Sequence, residues 1–214
     1  CRWIIYLVHF RNKHKINIKF ACSPFGLKSF NELIKINPDF IKIASPELNH
    51  TKLLKECSKY LNKIPIIISS GVSKLADIEK ALELLNPDDI EIKPNYLTLL
   101  HCSTFYPTPE EEYNVKLVKN LSKIFGISCG VSDHSLDPVL VPVLTCAMNG
   151  KMIEKHITLS NKTKGLDDPI ALEPEKFALM VHSVHQTEAL INRLKNDIFA
   201  QKNGKYNFRS KKHG

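Results

Sequence analysis

Six apolar runs, at 18–23, 40–45, 64–70, 96–103, 127–133 and 152–159, recur along the chain, and each carries polar residues toward its end. The runs are continuously apolar instead of alternating, the pattern of strands buried on both faces in a parallel sheet covered by helices. Segments with helical spacing separate them, at 28–36, 50–61, 74–85, 114–125 and 138–148, and a longer one runs from 174 to about 195. An α/β fold follows. Six βα units in series fit either an open doubly wound sheet or most of a (β/α)8 barrel. At 214 residues the chain is long enough for one substantial core.

Local punctuation supports this division. Asp77 and Glu79 favour the N-terminal half of the third helical segment, where free N–H groups carry partial positive charge. Leu75, Ile78, Ala81, Leu82 and Leu85 recur at helical spacing, and Asn86-Pro87-Asp88-Asp89 then breaks the helix in a turn. Glu173-Pro174-Glu175 gives the last helix an acidic start with Pro in its first turn. One conflict is built in. Pro142 lacks the N–H for an interior bond and should kink the helix that Pro138 begins.

Composition removes several classes. No apolar run approaches the roughly 18 residues needed to cross a bilayer, so no membrane partner is expected. The apolar opening at 1–10 is interrupted by Arg2 and His9 and does not read as a signal peptide. Beginning at Cys1 with no initiator Met, the chain reads as a fragment or a processed product. The formal net charge of +8 attracts anions. Its basic residues are dispersed apart from a run at 209–212, which reads as a solvated tail, and no nucleic-acid partner is expected. Cys1, Cys22, Cys57, Cys102, Cys129 and Cys146 show no C-x-x-C spacing, and three of them fall inside expected strands. Reduced thiols packing as small apolar groups account for them, and a cytoplasmic location fits.

The polar residues collect where strands end: Ser23, Lys42 with Ser45, Ser69 with Ser70, Ser103 with Thr104, Ser132-Asp133-His134 and Glu154-Lys155-His156. In a parallel barrel these ends share one face, where the βα loops build the site. His134 and His156, from adjacent strand ends, are candidate ligands of one divalent metal, against the plainer reading of two hydrogen-bonded rim histidines. For His101, His182 and His185 structural roles are expected. Lys42, Ser45, Ser69-Ser70-Gly71, Ser132 and Ser23 offer a cation, hydroxyls and a permissive backbone around an anion. Gly165-Leu166-Asp167-Asp168-Pro169 is either a plain turn or a site whose aspartates meet a sugar hydroxyl or a metal-bound water.

Taken in order, Cys22-Ser23-Pro24-Phe25, Lys42-Ile43-Ala44-Ser45, Ile68-Ser69-Ser70-Gly71, His101-Cys102-Ser103, Tyr106-Pro107-Thr108-Pro109, Ser132-Asp133-His134, Glu154-Lys155-His156 and Gly165-Leu166-Asp167 form a specific set. The set resembles the sialic acid (N-acetylneuraminate) synthase family, whose relatives make pseudaminic and legionaminic acids. The resemblance runs from about residue 18 to 190. It implies a TIM barrel of the (β/α)8 type, incomplete here at about six βα units. The expected division is a poorly matching helical segment at 1–17, the barrel at 18–196 and a basic tail at 197–214.

The resemblance also implies condensation of phosphoenolpyruvate with an N-acetylated mannosamine-type amino sugar, with phosphate released and Mn2+ or Mg2+ as cofactor. The protein would be cytoplasmic and, at full length, a homodimer. Lys42, Ser45, Ser69, Ser132 and Ser23 would hold phosphoenolpyruvate, His134 and His156 the metal, and Tyr106 and Asp167 would stand close to sugar and metal. Thr104 occupies a position where some members carry Asn against phosphoenolpyruvate. Members begin with two further βα units and follow the barrel with a small antifreeze-like domain, and neither is expected in this stretch. Two rivals stay open: another phosphoenolpyruvate-dependent 2-keto sugar acid synthase, and a non-catalytic fragment that binds a sugar or phosphate.

Overall fold

A computed structural model describes residues 10–202, with side chains through residue 195. Among the described residues six strands form one sheet: β1 Ala21–Cys22, β2 Phe40–Ile43, β3 Ile66–Ser69, β4 Leu97–Cys102, β5 Ser128–Asp133 and β6 Ile153–Lys155. Each is parallel to its neighbours, and the spatial order is the chain order, β1 to β6. A doubly wound sheet reverses its strand order at a switch point, so consecutive order decides for the barrel type. The helices are α1 Leu27–Lys35, α2 Thr51–Ser58, α3 Leu75–Leu85, α4 Lys116–Phe125, α5 Leu140–Ala147 and α6 Pro174–Lys202.

Side chains alternate across a strand, so each strand serves two faces. Ile41, Ile43, Ile66, Ile68, Leu97, Leu99, Cys129 and Val131 point to one face and join Phe30, Leu53, Leu54, Ile78, Leu85, Val118 and Leu121 from the helices in a single core. Each such fully buried aliphatic contributes roughly 1.5–3 kcal/mol against exposure. The residues between them face the other way: Lys42, Ser69, Thr98, Cys102 and Ser132, all buried. Three of these, Lys42, Ser69 and Ser132, are polar groups near the C-terminal ends of their strands. The inner face therefore carries the chemistry.

Three expectations need correction. The first run is extended only at Ala21–Cys22, and the sixth pairs only through Ile153–Lys155 with an isolated bridge from Ile157 to Leu172. Both are edge strands. Among the described residues their flanks have no partner on one side, and Ile18 is 67% and Leu159 90% exposed. Pro142 produces no interior break, because α5 starts at Leu140 and Pro142 sits in its first turn. An N–H there has no intrahelical acceptor to lose. Asp137 prepares that start by accepting from the N–H groups of Val139 and Leu140, both at 2.7 Å. Finally α6 passes its expected end near 195, running to Lys202. Of the segment expected at 1–17, residues 10–13 form a helical turn. The basic run at 209–212 lies outside the described residues. Among the described residues no helix is long and apolar enough to cross a membrane.

Candidate active site at the C-terminal rim

Alternation at the ends of β5 and β6 sets the site. Ser132 pairs in register with Glu154 and Asp133 with Lys155. Ser132 and Glu154 face inward, their successors outward, and His134 and His156 inward again. The two imidazole centroids lie 5.3 Å apart. The ring of Tyr106 stacks on His134 at 4.1 Å and meets His156 edge-on at 6.2 Å.

His134 is held at both nitrogens. Nδ1 lies 2.8 Å from the Ser103 carbonyl oxygen and Nε2 3.1 Å from the Tyr106 hydroxyl. A carbonyl only accepts, so Nδ1 carries the hydrogen and Nε2 turns its lone pair to the rim. Burial first, and then the neighbouring His156, push the His134 pKa down against the raising effect of the Ser103 bond. The neutral, ligating form is thereby favoured. Burial likewise pushes the Tyr106 phenol up, keeping the proton it donates to Nε2. His156 Nδ1 stands 3.7 Å from Asp167 Oδ2, an ion-pair distance when the ring is charged but too long for a hydrogen bond.

Those donors fit a divalent cation. A ligating histidine commonly gives its other N–H to a carbonyl, as His134 does, and two imidazoles with one carboxylate nearby leave room for water and substrate oxygens. Among the described residues no compact trio of metal-ligating side chains is gathered, so substrate or water oxygens would complete the shell.

A second cluster adjoins the first. Lys42, only 8% exposed, places Nζ 2.9 Å from Ser69 Oγ and 3.3 Å from Glu154 Oε1. Ser132 Oγ donates to the same carboxylate oxygen at 2.6 Å. After β3 the backbone turns at Gly71 with φ +52°, and a Cβ there would come within 2.6 Å of Ser45 Cβ and 3.7 Å of Thr104 Cγ2. Ser45, Gly71 and Thr104 therefore meet from three loops. Ser23 follows Cys22, which is level with Ile41, so it stands beside Lys42 on the edge strand. No described hydrogen bond joins the Ser23 hydroxyl to the cluster.

The 165–169 loop divides its two aspartates. Asp168 accepts from Gly165 N at 2.7 Å and from the Thr163 hydroxyl, which makes the turn, while Asp167 approaches His156. His101 Nε2 is 2.7 Å from the Tyr113 carbonyl, a structural contact. A cavity of about 780 Å³ lies elsewhere, between α3 and α4 at the N-terminal ends of the strands, lined by Leu82, Glu83, Asn86, Ile92, Leu97 and Phe125. It holds no arrangement comparable to the rim.

The NeuB family model matches residues 6–196. The chain belongs to the NeuB family. It is 35% identical over 174 residues to an N,N'-diacetyllegionaminic acid synthase of Campylobacter jejuni, covering 81% of this chain and 51% of that protein. With a pseudaminic acid synthase of the same species it shares 31% identity over 192 residues, covering 84% and 53%. Its fold superposes on the crystal structure of the spore coat polysaccharide biosynthesis protein spsE of Bacillus subtilis with a TM-score of 0.80 and 27% identity, covering 99% of this chain and 54% of that one. The chain spans about half the length of the curated relatives it matches.

Within this NeuB chain, four residues near the site have no role assigned from the sequence: Tyr113, and Asp133, Glu154 and Lys155, which are named only as parts of strand-end clusters. Alternation along β6 turns Glu154 inward with His156, but its place level with Ser132 and beside Lys42 follows only from the register of β5 and β6. The same register sets Asp133 and Lys155 as opposite charges at one position on the outer face. Tyr113, fully buried as the last residue of the 3-10 turn Glu110–Tyr113, has no pattern that marks it. Its hydroxyl donates to the Ser132 carbonyl at 2.5 Å and accepts from His134 N at 2.9 Å.

Proposed function

We infer that this chain is the barrel part of a nonulosonic acid synthase, condensing phosphoenolpyruvate with an N-acetylated mannosamine-type sugar and releasing phosphate. One observation carries the reading: an imidazole pair 5.3 Å apart stands on the same rim as a buried lysine bonded to a serine hydroxyl at 2.9 Å. The synthase names of its relatives agree with it. In this reading Lys42, Ser45, Ser69, Ser132 and Ser23 bind phosphoenolpyruvate, with Thr104 beside them. His134 and His156 hold Mn2+ or Mg2+, which when bound supplies Lewis acidity to the sugar aldehyde. Tyr106, whose hydroxyl would release Nε2 of His134 to the metal, keeps its ring stacked on that imidazole at 4.1 Å and borders the sugar.

C3 of phosphoenolpyruvate attacks the aldehyde carbon, and the C=O π pair passes to the aldehyde oxygen. That oxygen takes a proton from solvent to become a hydroxyl, and the cation left at C2 takes up water. Asp167, next to His156, accepts the proton of that water. The tetrahedral carbon then expels phosphate by C–O cleavage, while Lys42 and the serine hydroxyls stabilise the departing charge. The protein acts in the cytoplasm and as a homodimer.

Phosphate release from phosphoenolpyruvate, N-acetylmannosamine or a related N-acetylated sugar, and Mn2+ tests this in the complete protein. His134→Ala and His156→Ala should each lower turnover by at least about 10²-fold, the scale of losing a preorganised electrostatic stabiliser, with the circular dichroism unchanged. Undiminished turnover in either variant refutes the metal assignment.

A further inference from the structure

We propose that the buried pair Asp133–Lys155, together with Tyr113, is a positioning device that aligns the His134 and His156 rings across two strands. The proposal rests on the reading above only in taking those imidazoles as functional.

The geometry is specific. Asp133 Oδ2 and Lys155 Nζ are 2.7 Å apart with side chains 0% and 1% exposed. The same Nζ donates to the Ser135 carbonyl at 2.6 Å and reaches Ser135 Oγ at 3.3 Å. Asp133 Oδ1 accepts from Ser135 N at 2.8 Å. Tyr113 fixes Ser132 O and His134 N, and Thr108 N donates to His134 O at 3.1 Å. The backbone on both sides of His134 is thus tied down, and Lys155, one residue before His156, holds the neighbouring strand end to the same point.

Stability does not account for this. Apart from His101, which bonds the Tyr113 carbonyl, the rest of the outer face is built from apolar residues such as Ile41, Ile43, Ile66, Ile68, Leu97, Leu99 and Val131. Ionised groups lose hydration on burial, and an apolar pair of similar size is commonly as stable or more so. Apolar packing, however, is non-directional. A lysine with its donors filled by three fixed oxygens sets one relative placement of the strand ends, and both imidazoles project from the residues that follow the charged pair. These are positioning residues. They touch no reacting atom.

The test uses the full chain, with Tyr113→Phe, which removes one oxygen, beside Lys155→Met and the double variant Asp133→Asn/Lys155→Met. Two readouts separate alignment from folding. Side-chain imidazole 15N and 1H shifts at fixed pH report ring placement without any metal. Binding of Mn2+ alone, and separately of phosphoenolpyruvate, reports the two halves of the rim. The expected result is shifted His134 and His156 signals with His50 unchanged, and Mn2+ affinity lowered about tenfold or more while phosphoenolpyruvate affinity stays within about twofold. Unmoved imidazole signals in variants that fold would overturn the proposal, and so would equal losses at both half-sites. If the unaltered protein binds no Mn2+, the metal reading fails by itself, and the imidazole signals still decide the alignment.

Discussion

Lys42 carries a buried positive charge whose nearest carboxylate, Glu154, is itself 42% exposed on its side chain. A buried ammonium without a partner is costly, and Glu154 and Ser69 give Lys42 its partners and hold it oriented before any anion arrives. Lys42→Ala should weaken phosphoenolpyruvate binding by about 100-fold, or about 2.8 kcal/mol at 1.4 kcal/mol per tenfold, and leave the sugar KM within about twofold. Equal losses for both substrates, measured by steady-state kinetics, would contradict the assignment. The same variant leaves Glu154 without its cation. Because solvent screens that carboxylate, the accompanying loss of stability should be only about 1 kcal/mol, and Glu154→Gln in the Lys42→Ala background should recover most of it in urea unfolding. The lysine was legible as a lone cation near a strand end. Its carboxylate partner emerges only when the register of β5 and β6 is known.

Helices and strands were readable as far as their own residues decide them, and less so where neighbours decide. The apolar cores of β2 to β5 stand where the runs predict, since each is buried by partners on both sides. The ends of β1 and β6 are not, because the sequence does not say that they lie at sheet edges. Pro142 shows the same division. Its missing N–H is harmful or harmless according to a helix start that Asp137, outside the helix, sets. Gly130 belongs at this scale too. A Cβ there would lie 2.0 Å from the Met152 carbonyl oxygen, which accepts from Val131 N at 3.0 Å. That oxygen is backbone and yields only if β5 and β6 move apart. Gly130→Ala should therefore cost about 3 kcal/mol or more, the upper range for inserting an atom into a packed site, and should disturb the imidazole pair even where the chain still folds. A urea midpoint unchanged from that of the parent chain would show that the strands have slack.

In the whole molecule, strand order is the property that the sequence leaves open, because buried runs look alike in a barrel and in a doubly wound sheet. Pairing order separates them, and with it comes a gradient of stability across the sheet. β3, β4 and β5 each have a strand on both sides, while among the described residues β1 and β6 pair on one side. Amides open with free energies that rise with burial and pairing, so exchange with deuterium should not be uniform. In the 214-residue chain the slowest amides should lie in β3 to β5. β1, two residues long, should exchange at least about 100-fold faster, since a difference of about 2.8 kcal/mol in opening free energy is modest beside global stability. β6 should fall between them, because Lys155 ties its end to Asp133 and Ser135 at 2.7 and 2.6 Å. Lys155→Met should then bring β6 down toward β1 without touching β4. If β1 and β6 instead exchange as slowly as β4, their edges are covered in solution. An unpaired parallel edge is a template for another chain, so size-exclusion chromatography of the same sample should then show self-association. A monomer with uniformly protected strands would be incompatible with the open, consecutive sheet.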